Sequence, residues 1–107
     1  MSRFSDLLER LAATIESRRG GDPAKSWSAK LLADTPLAAK KLAEEALEAA
    51  LAAVQGDKDS LAAESADLIY HWLVVLAAQG VSLDDVAAKL EAREGTSGIA
   101  EKAGRPK

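Results

Sequence analysis

The chain has 107 residues, of which 48% are hydrophobic and 29% charged, with a net charge of −3 and no cysteine. That balance points to one soluble globular domain, excludes disulfides and thiolate metal sites, and gives no general reason to bind nucleic acid. Aromatic residues are only 4%, and the dominance of alanine and leucine favours close-packed helices over a β-sandwich. The opening "MSRFSDLLERLAA" has acidic residues where a signal peptide needs an unbroken apolar core, and the longest apolar run, "WLVVLAA", is too short to span a membrane. A cytoplasmic protein with no membrane partner is the expectation.

In chain order, residues 5–18 read as an amphipathic helix, with Leu7, Leu8, Leu11 and Ile15 at helical spacing. "RRGGDP" ends it, and "SWSAKLLAD" follows as a short helix or irregular segment. Thr35 and Pro36 look like the N-cap and first residue of a long helix running to Gln55 and closed by Gly56. Asp57 caps the next helix, residues 58–79, which stops at Gly80. Ser82 with Asp85 forms a capping-box variant opening a last helix to about Arg93. The expected fold is an all-α antiparallel bundle of four to five helices within residues 1–94, followed by a flexible tail, 95–107. The helix containing "AALAAV" is apolar nearly all round, and burial in a dimer interface is the simplest remedy.

Two of these apolar helices nevertheless carry paired acids. Glu45 and Glu48 are three apart and share one face of their helix, and Glu64 and Asp67 do the same on the next. Antiparallel packing can bring the pairs face to face. Like charges about 4 Å apart repel by roughly 4 kcal/mol at an effective dielectric near 20. Protonation relieves the repulsion by giving up charge; a divalent cation relieves it without that loss. Oxygen-only ligands select Mg²⁺ or Mn²⁺, and Mg²⁺ commonly binds substrate phosphates, so the implied ligand is a di- or triphosphate. The plain alternative for any one Glu-x-x-Glu is a solvated face. A di-iron bundle would need Glu-x-x-His twice, and His71 is the only histidine.

The blocks "KKLAEEALE" and "ESADLIYHWLVVL", with "SWSAKLL" upstream, closely resemble the phosphoribosyl-ATP pyrophosphohydrolase family of histidine biosynthesis. Glu45, Glu48, Glu64 and Asp67 fill the Glu-x-x-Glu, spacer, Glu-x-x-Asp pattern of the wider all-α nucleoside triphosphate pyrophosphohydrolases, with a fifteen-residue spacer. The resemblance covers roughly residues 4–93. It implies hydrolysis of phosphoribosyl-ATP to phosphoribosyl-AMP and pyrophosphate, a Mg²⁺ cofactor (Mn²⁺ being possible), and a homodimer whose helices complete the site. Four positions depart from the usual pattern: Ala43 and Thr35 stand where glycine is common, and Trp27 and Ser28 make Ser26-Trp27-Ser28 of the usual Ser-Tyr-Thr.

On this resemblance the metal ligands are Glu45, Glu48, Glu64 and Asp67. Glu44 and Glu45 are the candidates for activating water, with Glu44 alternatively a further metal ligand. Glu44 lies about 100° round the helix from Glu45, so a solvent-facing or salt-bridged role is open to it as well. Lys41, four residues before Glu45, is either a phosphate-facing cation or half of an intrahelical ion pair. Lys30, and a hydroxyl from Ser26 or Ser28, are further substrate contacts, although a helix cap explains either serine equally well. His71, one turn beyond Asp67, is either a satisfied structural histidine or, as the resemblance implies, a residue that orients a carboxylate or meets the substrate. Tyr70 is expected to pack, and Lys102, Arg105 and Lys107 can either fold over a polyphosphate or remain a solubilising end. Two other functions fit the residues. One is a general or house-cleaning nucleoside triphosphate pyrophosphohydrolase. The other is a non-enzymatic helical dimerisation module, whose carboxylates would face water and not converge.

Overall fold

The computed structural model describes residues 2–95. Those residues form five helices and no strand: α1 (Arg3–Ser17), α2 (Trp27–Leu32), α3 (Thr35–Gln55), α4 (Lys58–Ala78) and α5 (Leu83–Glu91). The all-α expectation holds. The expected tail, Gly95 apart, lies outside the described residues, as do Lys102, Arg105 and Lys107.

Each helix begins where a short polar side chain takes up a free backbone N–H. Ser2 accepts from Ser5 N, which starts α1 two residues before the apolar spacing does. Asp34, not Thr35, caps α3: its carboxylate accepts from Leu37 N at 3.1 Å, leaving Thr35 as the first helical residue and Pro36 within the first turn. Both residues are competent caps; Asp34 takes the position because it is the one with non-helical backbone, φ −141° and ψ 83°. Asp57 caps α4 through Ser60 N. Ser82 and Asp85 exchange both bonds of a capping box at α5, which ends at Glu91, two residues short of the expected Arg93. Between α3 and α4 the chain reverses at Gly56, whose φ of 71° is a left-handed conformation in which any side chain would be strained.

The α3–α4 hairpin is the body of the fold, and α1 and α2 pack on α4. Ile15, Leu31, Ala38, Leu73 and Val74 meet in the core, so α1 to α4 all supply buried side chains, and α5 adds partly buried Leu83 at its edge. Among the described residues, the large side chains wholly shut off from solvent are Ile15, Leu31 and Val74, with Leu73 nearly so. At about 1.5–3 kcal/mol for each such side chain, this is a thin core for the length of chain it must order.

α3 explains the deficit. At about 100° per residue, buried Ala38, Ala49 and Ala52 lie on one side, where small side chains let the backbone approach α4. Leu47, Leu51 and Val54 point the opposite way and are 60%, 49% and 86% exposed. Phe4 and Leu7 of α1 are also exposed, lining an apolar groove with Ala66 and Ile69 of α4. The helix that reads as apolar all round therefore has one face on the rest of the chain and another facing outward.

α4 taken whole is long and apolar enough, by length and composition, to cross a membrane, which the short run "WLVVLAA" did not disclose. Its place in the fold is that of a central helix, against which α1, α2 and α3 all pack. It also carries two carboxylates at mid-length.

Candidate metal and active site

The spacing of the acids settles which way they point. Glu45 lies on the same side of α3 as buried Ala38, Ala49 and Ala52, so it must face α4. Glu48 follows one turn later, at the edge of that face. From α4, Glu64 meets them. One carboxylate oxygen from each of Glu45, Glu48 and Glu64 can be chosen so that all three lie within 4.8 Å of one another. Asp67 is outside that triangle but near enough for its charge to act on both Glu45 and Glu64.

The triangle is electrostatically unsatisfied. Oε2 of Glu45 and Oε2 of Glu64 are buried and accept no hydrogen bond. Burial, followed by the negative charge of Glu48, pushes the Glu45 carboxyl above its ordinary value, while His71 pulls in the opposite direction. Glu64 is pushed up to about 7, first by a hydrogen bond shared with Glu48, then by burial and the charges of Glu48, Glu45 and Asp67. Folding rarely tolerates buried oxygens of this kind without a partner. Three clustered carboxylates with two orphan oxygens form a hard, anionic donor set of the kind that suits Mg²⁺ or Mn²⁺. The residues present fit such an ion.

His71 is buried at the edge of this cluster, and its Nδ1 lies 2.8 Å from the backbone oxygen of Asp67. A carbonyl can only accept, so Nδ1 carries the proton and Nε2 is the nitrogen left for other partners. Tyr70 packs edge-on against the imidazole, with centroids 4.9 Å apart and planes at 87°. Lys41 pairs with Glu44 at 3.2 Å and not with Glu45, four residues away. Glu44 is thus salt-bridged beside the triangle and forms no part of it. Ser26 is the N-cap of α2, accepting from Ala29 N at 3.1 Å. Lys30 is exposed and lies 5.7 Å from the Trp27 ring centroid. Ser28, grouped with Ser26 in the sequence, has its own partner, the hydroxyl of Tyr70. The spacing of residues 42 apart gave no signal for that contact.

A family described as phosphoribosyl-ATP pyrophosphohydrolase matches residues 8–94, which include every carboxylate of the cluster. The chain belongs to the phosphoribosyl-ATP pyrophosphohydrolase family. Its similarity to individual members runs nearly end to end. It is 70% identical over 103 residues to the phosphoribosyl-ATP pyrophosphatase of Caulobacter vibrioides, covering 96% of both chains. It is 67% identical to that of Caulobacter sp. strain K31, over 99% of each. With the Cereibacter sphaeroides protein of the same name it shares 63% over 100 residues, covering 92% of this chain and 97% of the relative. The resemblance read from "KKLAEEALE" and "ESADLIYHWLVVL" is thereby established across the whole described fold.

Proposed function

We infer that this chain hydrolyses phosphoribosyl-ATP to phosphoribosyl-AMP and pyrophosphate, the histidine-biosynthetic step for which its relatives are named, as a cytoplasmic Mg²⁺-dependent homodimer. The observation that carries the reading is the convergence of Glu45, Glu48 and Glu64 from two helices, with two buried oxygens left without partners. A dimerisation module with splayed, solvated carboxylates has no use for that arrangement.

Glu45, Glu48, Glu64 and Asp67 are the residues that hold the cation, with Mn²⁺ an acceptable substitute. When bound, such an ion neutralises charge on the phosphate oxygens and helps to activate water. The chain's own groups do the rest. Glu44 or Glu45 accepts a proton from the attacking water, whose oxygen bonds to phosphorus as the α–β anhydride bond breaks. The bonding electrons leave with pyrophosphate. Lys41, tethered by Glu44, supplies positive charge on that side of the cluster. His71, with Nδ1 committed to Asp67, offers Nε2 to a carboxylate or to substrate. Lys30 on α2 and Ser26 at its N-cap place further polar groups for the nucleotide.

The test is pyrophosphate release from phosphoribosyl-ATP, ATP and dUTP, each with Mg²⁺ and with chelator. Strong preference for phosphoribosyl-ATP, lost in chelator, is expected. Comparable turnover of the plain triphosphates would point to the general house-cleaning activity, and no release from any of them to the non-enzymatic module. For the dimer, the support is the outward apolar face of α3. Leu51→Asp should convert a sedimenting dimer to monomer, and a wild-type monomer at assay concentration would remove this part of the reading.

A further inference from the structure

α2 has six residues, too few to be stable alone, so its position is set by what it packs on. Leu31 plugs into the core and fixes its depth. Ala29, the other buried residue, is too small to fix its rotation. A polar contact does that: Ser28 Oγ and Tyr70 OH are 2.5 Å apart, both part-buried, joining segments 42 residues apart. Tyr70 lies between Asp67 and His71 in the chain. Its ring rests edge-on against the imidazole that bonds the Asp67 carbonyl and acts electrostatically on Glu45. The hydroxyl end of this tyrosine therefore touches α2, and its ring touches His71, whose charge acts on Glu45 of the acidic site. On the exposed side of α2, the Lys30 ammonium lies over the Trp27 ring. An open indole beside a cation is chemistry suited to a nucleotide, the ring for a base and the ammonium for phosphate.

We propose that the Ser28–Tyr70 hydrogen bond is a positioning link that holds α2, with Trp27 and Lys30, at the His71 end of the acidic site, and so sets how tightly the nucleotide is held rather than how fast the anhydride breaks. The proposal rests on the function inferred above. Neither hydroxyl acts on the reacting atoms. A contact that helps bind substrate and transition state equally shows itself in KM and leaves kcat alone.

Tyr70→Phe keeps the ring against His71 and removes only the hydroxyl; Ser28→Ala removes the other half. Each should raise KM for phosphoribosyl-ATP about three- to tenfold, the range a lost neutral hydrogen bond gives, with kcat within about twofold. The double variant should be no worse than either single one, and Ser28→Thr, which keeps a hydroxyl, should retain the wild-type KM. Amide hydrogen exchange across residues 29–33 should be faster in Tyr70→Phe with no substrate present. An unchanged KM in Tyr70→Phe, a fall in kcat at constant KM, or additive single variants would overturn the proposal. Unchanged exchange in α2 would overturn it whatever the substrate proves to be. Failure of the wild-type protein to hydrolyse phosphoribosyl-ATP counts instead against the function itself.

Discussion

Asp57 and Asp85 are carboxylates with work in the fold, and Glu45 and Glu64 are carboxylates without it. Asp57 takes the backbone N–H of Ser60 at 3.0 Å and its hydroxyl at 2.8 Å; Asp85 takes the backbone N–H of Ser82 at 2.9 Å. Both are held below the ordinary carboxylate range, first by those backbone donors and then by the serine side chains. Glu45 and Glu64 each bury an oxygen with no donor, and both are pushed above that range. The same functional group is thus stabilised as an anion at helix ends and destabilised as an anion between α3 and α4. The folded chain leaves the negative charge at the second place for something other than itself to neutralise.

The sharpest way to break this comparison is to remove one carboxylate from the unsatisfied group. Glu48→Gln nearly preserves shape while removing one charge from the triangle. Steady-state pyrophosphate release should fall by more than the roughly 10–100-fold that residues merely supporting a metal ligand cost. Circular dichroism should show a folded protein whose metal-free melting temperature is unchanged or higher, because like charge has been relieved. A folded Glu48→Gln variant of near-normal activity would strike Glu48 from the ligands.

Melting temperature against pH, in chelator, tests the two groups against each other. Glu64 has its folded value raised from 4.5 to about 7. The stability linked to it is fully present below the unfolded value and is lost as pH rises through the folded one. Asp57 and Asp85, lowered from 3.8, behave oppositely: their contribution is present above that value and lost as pH falls. The metal-free protein should therefore melt highest near pH 5 and progressively lower toward pH 8, and Glu64→Gln should flatten that descent. At pH 8, Mg²⁺ at a hundredfold its Kd should raise the melting temperature by on the order of 10 °C. A metal-free protein that grows more stable from pH 5 to 8 would contradict the site electrostatics.

How far the residues foretold this structure differs between the same two regions. The Asp57 cap, the Gly56 reversal and the Ser82–Asp85 box were legible because each is closed within a few residues of chain. The shared faces of Glu45 with Glu48, and of Glu64 with Asp67, were legible from helical periodicity. What spacing could not give was the offset between α3 and α4, which decides that Glu64 joins the triangle while Asp67 stands outside it. Nor could it give the choice of Glu44 over Glu45 as partner for Lys41, since both lie within one turn. The pairing of Ser28 with Tyr70 is invisible in the sequence, because a contact between separate elements leaves no mark on local pattern.

The smallest expected effect comes from a carboxylate of the first kind on the very helix that carries Glu45 and Glu48. Asp34 caps α3 through Leu37 N, at the start of a helix whose first acidic cluster residue comes about three turns later. Asp34→Ala should lower unfolding stability by about 1 kcal/mol, read as a shifted denaturant midpoint at constant m. A helix dipole is felt mainly within its first turn, so neither Mg²⁺ affinity nor kcat should move. If Asp34→Ala weakened Mg²⁺ binding as strongly as Glu48→Gln, the division between carboxylates that build the fold and carboxylates that await a cation would not hold along α3.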